Sequence, residues 1–172
     1  GRINAARAGQ GLPPLAENVQ LGKAATKHAQ DLARNQWLID SGQYHTGSDG
    51  SSIDQRLRRE GYNPVQWGEI VGWGWQGDSD RMMEWWLNSP VHYGQIMAGN
   101  VTDIGAGYVY APGTTWGHYW CINFGRRKGG AVYTSHVPVV AKPSNSTGLD
   151  LLPYLKGDGR AYRVGNGWGT FE

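Results

Sequence analysis

The sequence predicts an α+β fold, and two observations support this prediction. Between residues 21 and 33, apolar residues or histidine recur with the spacing of one buried helix face. Between Trp116 and Phe124, residues alternate between two faces as they do in a β-strand. A second extended segment, Ile104 to Tyr110, precedes it, and Pro112-Gly113 between the two suits the centre of a type II turn. The two segments are therefore predicted to form an antiparallel hairpin.

The N-terminal third of the chain is predicted to be helical. Residues 1–8 form a short helix, which the glycines and prolines of residues 9–14 end. A long helix then runs from about Glu17 to Gln36, and Trp37 and Leu38 are expected to enter the core. His28 lies on the apolar face of this helix, so we interpret it as a packed core histidine.

The middle of the chain combines a polar loop, short helices and a glycine-rich segment. After the loop at residues 39–50, Ser52 caps a helix that runs to Glu60. The segment Val65 to Trp75 contains three glycines, which disfavour a helix, and it is predicted to be an irregular or short strand. A helix opens at Asp78-Ser79-Asp80, and Ser89-Pro90 ends it and starts another helix.

The C-terminal part differs in composition from the rest. We predict a main domain at residues 1–128, an extended linker at 129–148 and a small β-meander at 149–172. The meander is predicted from turn pairs such as Asn166-Gly167 between short apolar segments. A unit of this size does not fold alone, so it is expected to pack on the main domain or on a partner.

Composition excludes some partners. The net charge of +2 and the pI near 8.7 are too weak to indicate nucleic-acid binding. No apolar run approaches the roughly 20 residues that a transmembrane helix requires. Cys121 is the only cysteine, so it has no intramolecular disulfide partner, and we interpret it as a buried packing residue.

Three separated stretches hold the candidate functional residues. His45 begins His-Thr-Gly-Ser-Asp-Gly, Glu69 lies within Gly-Glu-Ile, and His92 ends Asn-Ser-Pro-Val-His. Two imidazoles and a carboxylate, once a fold brings them together, can hold a divalent metal or move a proton.

The order of these stretches and their neighbours resembles the bacterial branch of the CAP superfamily. This superfamily comprises the cysteine-rich secretory, antigen 5 and pathogenesis-related proteins, also called SCP-like extracellular proteins. The resemblance covers residues 1 to about 125. It rests on Ile3-Asn4-Ala5-Ala6-Arg7, Gly11-Leu12-Pro13-Pro14-Leu15, Ala24-Ala25, His28-Ala29-Gln30-Asp31-Leu32-Ala33, His45-Thr46-Gly47-Ser48-Asp49-Gly50-Ser51, Arg56-Leu57, Gly61-Tyr62, Gly68-Glu69, Trp86-Leu87-Asn88-Ser89-Pro90-Val91-His92, Ile96-Met97, Asp103-Ile104-Gly105-Ala106-Gly107-Tyr108 and Tyr119-Trp120-Cys121-Ile122-Asn123-Phe124-Gly125.

The resemblance implies a three-layer α-β-α sandwich with a central antiparallel sheet, and an extracellular or cell-envelope location. It also implies a cleft lined by two histidines and two acids, where His45, His92 and Glu69 match three of the four. The second acid, expected three positions after a helix tryptophan, is replaced by Asn88 or Ser89.

The chemistry of this cleft leaves alternatives open. His45 and His92 are candidate ligands for Zn²⁺ or another divalent cation, in a weak and water-rich site. Glu69 either orients a metal-bound water or accepts a hydrogen bond from an imidazole N–H. Alternatively, the three residues form a metal-free polar cluster that attaches the His45 loop to the sheet. Ser89 lies three residues before His92, as in a Ser-His pair, but a serine before proline at a helix start is interpreted as a cap.

Three functions are compatible with these residues. The first is a non-enzymatic secreted module that binds a lipid, glycan or protein surface through the cleft and an aromatic rim. The tryptophans assigned to the core or to this rim are Trp67, Trp73, Trp75, Trp85, Trp86, Trp116 and Trp120. The second is a metal-assisted hydrolase that uses His45, His92 and Glu69. The third is a structural domain of the cell envelope that docks through the meander.

Overall fold

The computed structural model describes residues 1–130, which form a sandwich of helices and one sheet. The six helices are α1 (Arg2–Ala8), α2 (Val19–Arg34), α3 (Trp37–Asp40), α4 (Ile53–Arg59), α5 (Ser79–Asn88) and α6 (Pro90–Ile96). The four strands are β1 (Ala16–Glu17), β2 (Pro64–Trp73), β3 (Asp103–Tyr110) and β4 (His118–Arg127), and a short turn at Trp75–Gly77 follows β2. The predicted linker, apart from Gly129 and Gly130, and the predicted meander lie outside the described residues.

The sheet has the order β1-β3-β4-β2. The β3–β4 and β4–β2 pairs are antiparallel, which confirms the predicted hairpin and the central antiparallel sheet. The short β1 pairs with β3 in parallel, so the sheet as a whole is mixed. Within the described residues, β2 forms one edge of the sheet, beside the loop that carries His45.

Alternating side chains of the sheet contact two helical layers. Val71, Tyr119 and Cys121 pack with the buried face of α2 and with α3. Ile70 and Ile122 face the other way and pack with α5 and α6. This alternation follows from the two-residue period of a strand, and it confirms the three-layer arrangement.

Helix α2 packs as its sequence predicts, and it begins at Val19, two residues after the expected start, because Glu17 belongs to β1. The Asn18 side chain accepts a hydrogen bond from the Leu21 backbone N–H at 3.0 Å and so caps the helix. His28 lies on the buried face and is 1% exposed, as predicted. Leu38, just after α2, is fully buried, whereas Trp37 is 48% exposed, so the expectation that both enter the core was wrong for Trp37.

Strand β2 is longer and more regular than expected. The segment predicted as an irregular or short strand is paired with β4 from Pro64 to Trp73, with one irregularity near Pro64. Its glycines permit close packing rather than disorder: a Cβ at Gly68 would overlap the Gln95 side chain of α6. Tertiary contacts therefore override the weak strand preference of glycine.

Candidate functional site

Glu69 is the centre of a buried polar cluster. It lies on β2, is 2% exposed, and accepts hydrogen bonds at both carboxylate oxygens. Oε1 accepts from His45 Nδ1 at 2.9 Å, and Oε2 accepts from Arg56 Nη2 at 2.7 Å. The Cys121 thiol lies 3.5 Å from Oε2, and the Asn123 amide, turned with its nitrogen toward Glu69, donates to Oε2 at 3.0 Å. Both carboxylate oxygens of Glu69 therefore have hydrogen-bond partners.

These contacts keep Glu69 ionised. Burial by itself disfavours the carboxylate, but His28, His45 and Arg56 outweigh burial and lower the pKa of Glu69 to about 2. Glu69 is thus an acceptor only, which requires His45 Nδ1 to carry the proton of their hydrogen bond.

Arg56 attaches the His45 loop to the cluster. Its Nη1 donates to the backbone carbonyls of His45 and Ser51, both at 3.0 Å, while Nη2 binds Glu69. Arg56 lies on helix α4. At the start of this helix, the Ser52 backbone N–H donates to the Gln55 side-chain oxygen at 3.0 Å. One guanidinium therefore fixes both the loop and the carboxylate that orients His45.

His92 is held on the opposite helical layer. It lies in α6, is fully buried, and its Nδ1 is 2.7 Å from Ser89 Oγ. Ser89 occupies the N-cap position of α6, as predicted, but its side chain makes no capping bond to the helix backbone and contacts His92 instead. Burial, and to a smaller extent the proximity of His45, lowers the pKa of His92 to about 3, so the His92 imidazole is neutral near pH 7.

The predicted cleft residues form two hydrogen-bonded pairs. His45 contacts Glu69, and Ser89 contacts His92. No hydrogen bond joins the two pairs among residues 1–130.

Both cleft histidines have an unpartnered Nε2. In each imidazole, Nδ1 is engaged, by Glu69 in one and by Ser89 in the other, and Nε2 is buried without a hydrogen-bond partner. A metal-binding histidine typically donates its second ring N–H to a carboxylate, a carbonyl or water. The His45–Glu69 pair has this arrangement, and Ser89 takes the corresponding position at His92. Within the described part of the chain, no group of three or more His, Cys, Asp or Glu side chains is arranged for a metal.

The positions expected for the second acid have other contacts. Asn88 donates from its side chain to the Glu84 carbonyl at 2.9 Å, on the exposed side of α5. Ser89 is the residue that meets His92. The Ser89 hydroxyl therefore lies beside His92, where it is a neutral hydrogen-bond partner instead of the expected carboxylate.

Three residues of the cluster were missed as site residues. Nothing in the sequence next to Arg56 or Asn123 indicates a site residue, except that both lie in stretches that match the family. His28 was assigned to the core, where it lies, but its Nε2 is also 3.6 Å from Glu69 Oε1 and bonds the Tyr44 carbonyl at 2.7 Å. Burial lowers the pKa of His28, although Glu69 opposes that shift.

The tryptophans divide between core and surface. Trp73, Trp75, Trp86 and Trp120 are at most 6% exposed and belong to the core. Trp67 is 40% exposed and lies two residues before Glu69, on the same face of β2. Trp85 is half-buried, and its ring centroid lies 5.0 Å from that of His92, so it is the tryptophan that contacts a candidate histidine. Trp67 is the more exposed aromatic residue on the strand that carries Glu69.

Comparison with known proteins places this geometry in a family. The sequence profile of the cysteine-rich secretory protein family, CAP, matches residues 1–124. The uncharacterized protein YkwD of Bacillus subtilis is 31% identical over 113 residues, a match that covers 66% of this chain and 41% of YkwD. The chain thus spans about two fifths of the length of this relative.

Solved structures show the same fold. An outer surface protein from Borrelia burgdorferi superposes with a TM-score of 0.63 at 26% identity, covering 74% of this chain and 88% of that protein. An extracellular protein with an SCP domain from Bacillus anthracis superposes with a TM-score of 0.61 at 23% identity, covering 73% of this chain and 38% of the other.

Proposed function

Because the chain belongs to the cysteine-rich secretory protein (CAP) family, we propose that it is an extracellular binding module whose cleft holds a divalent cation between His45 and His92. The observation that supports this proposal is the pair of buried, unpartnered Nε2 atoms. Each belongs to an imidazole that is already oriented by a second residue, Glu69 or Ser89.

Two neutral imidazoles are suitable ligands for Zn²⁺. His45 presents an Nε2 lone pair because Glu69 holds the proton on Nδ1, and His92 is neutral because burial lowers its pKa. Residues 1–130 provide two protein ligands, so the remaining positions belong to water or to a ligand, and the affinity is expected to be modest. A bound cation would polarise a water or attract an anionic oxygen of the ligand.

The contacts of Glu69 favour binding over hydrolysis. A general base needs a free oxygen and a pKa near the working pH. Both oxygens of Glu69 accept hydrogen bonds, and its pKa is lowered to about 2. Glu69 is therefore suited to orient His45 and unsuited to deprotonate a water, which argues against the hydrolase alternative.

An extracellular location is supported by the structural relatives. Proteins with this fold include one described as extracellular and one described as an outer surface protein. Within residues 1–130, no helix combines the length and the apolar character needed to cross a bilayer. The partner of the cleft is proposed to be a lipid, glycan or protein surface that also contacts Trp67, whose side chain is 40% exposed.

Isothermal titration with Zn²⁺ tests the metal site. Wild type is expected to bind one equivalent, and His45→Ala with His92→Ala is expected to lose binding. Ser89→Ala should weaken binding about tenfold, because the support of a ligand is lost. His118→Ala, a histidine of β4 outside the cluster, is the matched control and should bind as wild type. Equal binding by wild type and the double variant would contradict the site.

A lipid and glycan array, run with and without Zn²⁺, tests the binding role with the same proteins. Wild type is expected to give a signal that is reduced in Trp67→Ala and in the double histidine variant. A wild-type signal no higher than that of Trp67→Ala would contradict the proposed cleft.

A further inference from the structure

Four aromatic side chains form an ordered patch on one face of the β3–β4 hairpin. Tyr110 pairs with His118 across the strands, and Tyr108 pairs with Trp120 in the same way. We call these four residues the aromatic shelf. Tyr108 is 47% exposed and Tyr110 is 61% exposed, whereas Trp120 is buried beneath them. The shelf therefore offers two phenol rings to solvent on a rigid base.

The rings of the shelf are held in fixed orientations. The His118 and Tyr110 ring centroids are 4.8 Å apart, with 29° between the ring planes. His118 and Tyr108 are nearly parallel, at 19°, and the Tyr108 hydroxyl is 2.7 Å from His118 Nδ1. Trp120 lies 5.2 Å from Tyr108. These contacts restrict the side chains before any ligand arrives, which reduces the entropic cost of binding.

Packing alone does not account for the exposed rings. Cross-strand aromatic pairs do stabilise a hairpin. That gain comes from buried contact area, however, and most of the Tyr110 side chain remains in water. Large aromatic side chains that stay exposed and close together are typical of binding surfaces.

A strained turn borders the shelf and gives an independent indication of function. Trp75 and Gln76 both have φ of +51°, although neither is glycine. At Gly77, a Cβ atom would lie 2.9 Å from the His118 ring, so the absence of a side chain lets the turn approach the shelf. Residues in this backbone region cost energy and concentrate at ligand sites. The exposed Gln76 amide lies in this turn, where it can supply hydrogen bonds beside the rings.

The chemistry of the shelf selects a neutral ligand with flat apolar faces and polar edges. None of its four side chains is an acid, lysine or arginine, and burial lowers the pKa of His118, which favours the neutral imidazole. The C–H face of a pyranose ring stacks on a phenol ring, and its hydroxyls bond to groups such as a tyrosine O–H or an imidazole nitrogen. We propose that the aromatic shelf binds a neutral polysaccharide built of pyranose rings.

The shelf is separate from the His45 cluster. Glu69 is aligned with Asn123, and His118 lies five residues away on β4, about 17 Å at the rise of an antiparallel strand. An odd separation also places the two residues on opposite faces of the sheet. The proposal is therefore independent of the metal site and does not depend on the proposed function.

Depletion of the full chain from solution by insoluble polysaccharide tests the shelf. Microcrystalline cellulose and chitin are the neutral probes, and carboxymethyl-cellulose beads are the anionic probe. Wild type is expected to bind at least one neutral probe and to be retained less by the anionic one. Tyr110→Ala should weaken binding about fivefold, and Tyr108→Ala with Tyr110→Ala more than about tenfold.

Matched variants make the outcome decisive. Tyr110→Phe retains the ring and should bind nearly as wild type, and the His45→Ala, His92→Ala variant should bind unchanged. Thermal unfolding checks that the tyrosine variants remain folded, as their exposure predicts. The proposal is overturned if wild type binds neither neutral probe, if the double tyrosine variant binds as wild type, or if retention follows the anionic probe.

Discussion

At the scale of single residues, the cluster shows how one carboxylate organises several elements. Glu69 lies on a strand, Arg56 on a helix and His45 on a loop, and the hydrogen bonds of Glu69 join all three. A buried carboxylate is costly unless it is paired and hydrogen-bonded. Both conditions are met here, so the ordering of the His45 loop and the ionisation of Glu69 depend on each other.

The substitution Glu69→Gln tests this dependence. It leaves the Arg56 guanidinium without its counter-charge, and Arg56 is only 9% exposed. Loss of one partner from a buried ion pair typically costs about 3 kcal/mol or more, so the free energy of unfolding should fall by about that amount near pH 7. Chemical denaturation measures the change, and Glu17→Gln, at an exposed position, is the control.

The pH dependence of stability should also distinguish Glu69→Gln from Glu17→Gln. The pKa of Glu69 is about 2 in the folded chain, against an ordinary value of 4.5. Between these values the unfolded chain binds a proton that the folded chain does not, so stability falls as the pH falls from 4.5 toward 2. This acid dependence should be shallower in Glu69→Gln than in wild type and in Glu17→Gln. Parallel curves for all three proteins would contradict the assigned role of Glu69.

At the scale of elements, close packing between α2 and β3 depends on glycine. A Cβ at Gly107 would overlap backbone atoms of Ala25 and Thr26 in α2. At Gly22, on α2, the nearest atom to such a Cβ is the Ala106 carbonyl oxygen at 3.7 Å, which is an ordinary contact. The two glycines of this interface therefore differ: there is no room for a methyl group at Gly107, whereas there is room for one at Gly22.

Alanine substitutions at these glycines should act in opposite directions. Gly107→Ala is expected to destabilise the protein by about 2 kcal/mol or more, because backbone must move to admit the methyl group. Gly22→Ala is expected to stabilise it by about 0.5 to 1 kcal/mol through helix propensity. Thermal or denaturant unfolding of both variants measures the difference, and a shift in the same direction for both would contradict this account.

At the scale of the whole molecule, one sheet separates two sites. The Glu69 side of the sheet carries the buried polar cluster beside α2 and α4, and the opposite side carries α5, α6 and the aromatic shelf. The apolar clusters on both faces of the sheet contain fully buried residues such as Leu32 and Phe124. A core of this kind indicates an independent folding unit.

A chain that ends at residue 130 should therefore fold on its own. The expected result is one cooperative unfolding transition, with the Zn²⁺ affinity of the full chain retained. Calorimetry and near-ultraviolet circular dichroism measure folding, and titration measures the site. A broad transition without fixed aromatic signals would show that residues 131–172 are required, and the predicted boundary at residue 128 would then be wrong.

The sequence by itself determined the local elements and the family. The apolar spacing of α2, the alternation along β4 and the Pro112-Gly113 turn are periodic or stereochemical signals, which depend on near neighbours in the chain. His45, Glu69 and His92 were recognised because their short motifs resemble those of a known family. Strand β2 was underestimated because glycine lowers strand preference, whereas its pairing with β4, which is distant in the sequence, forms the strand.

Only the tertiary structure decided which contacts the candidate site residues make. It joined His45 to Glu69 and His92 to Ser89, brought Arg56 and His28 to the carboxylate, and left two Nε2 atoms without partners. It also brought Tyr108, Tyr110 and His118 together on one face. Hydrogen bonds, burial and pKa shifts depend on distances between residues far apart in the chain, and those distances arise when the sheet and its helices pack together.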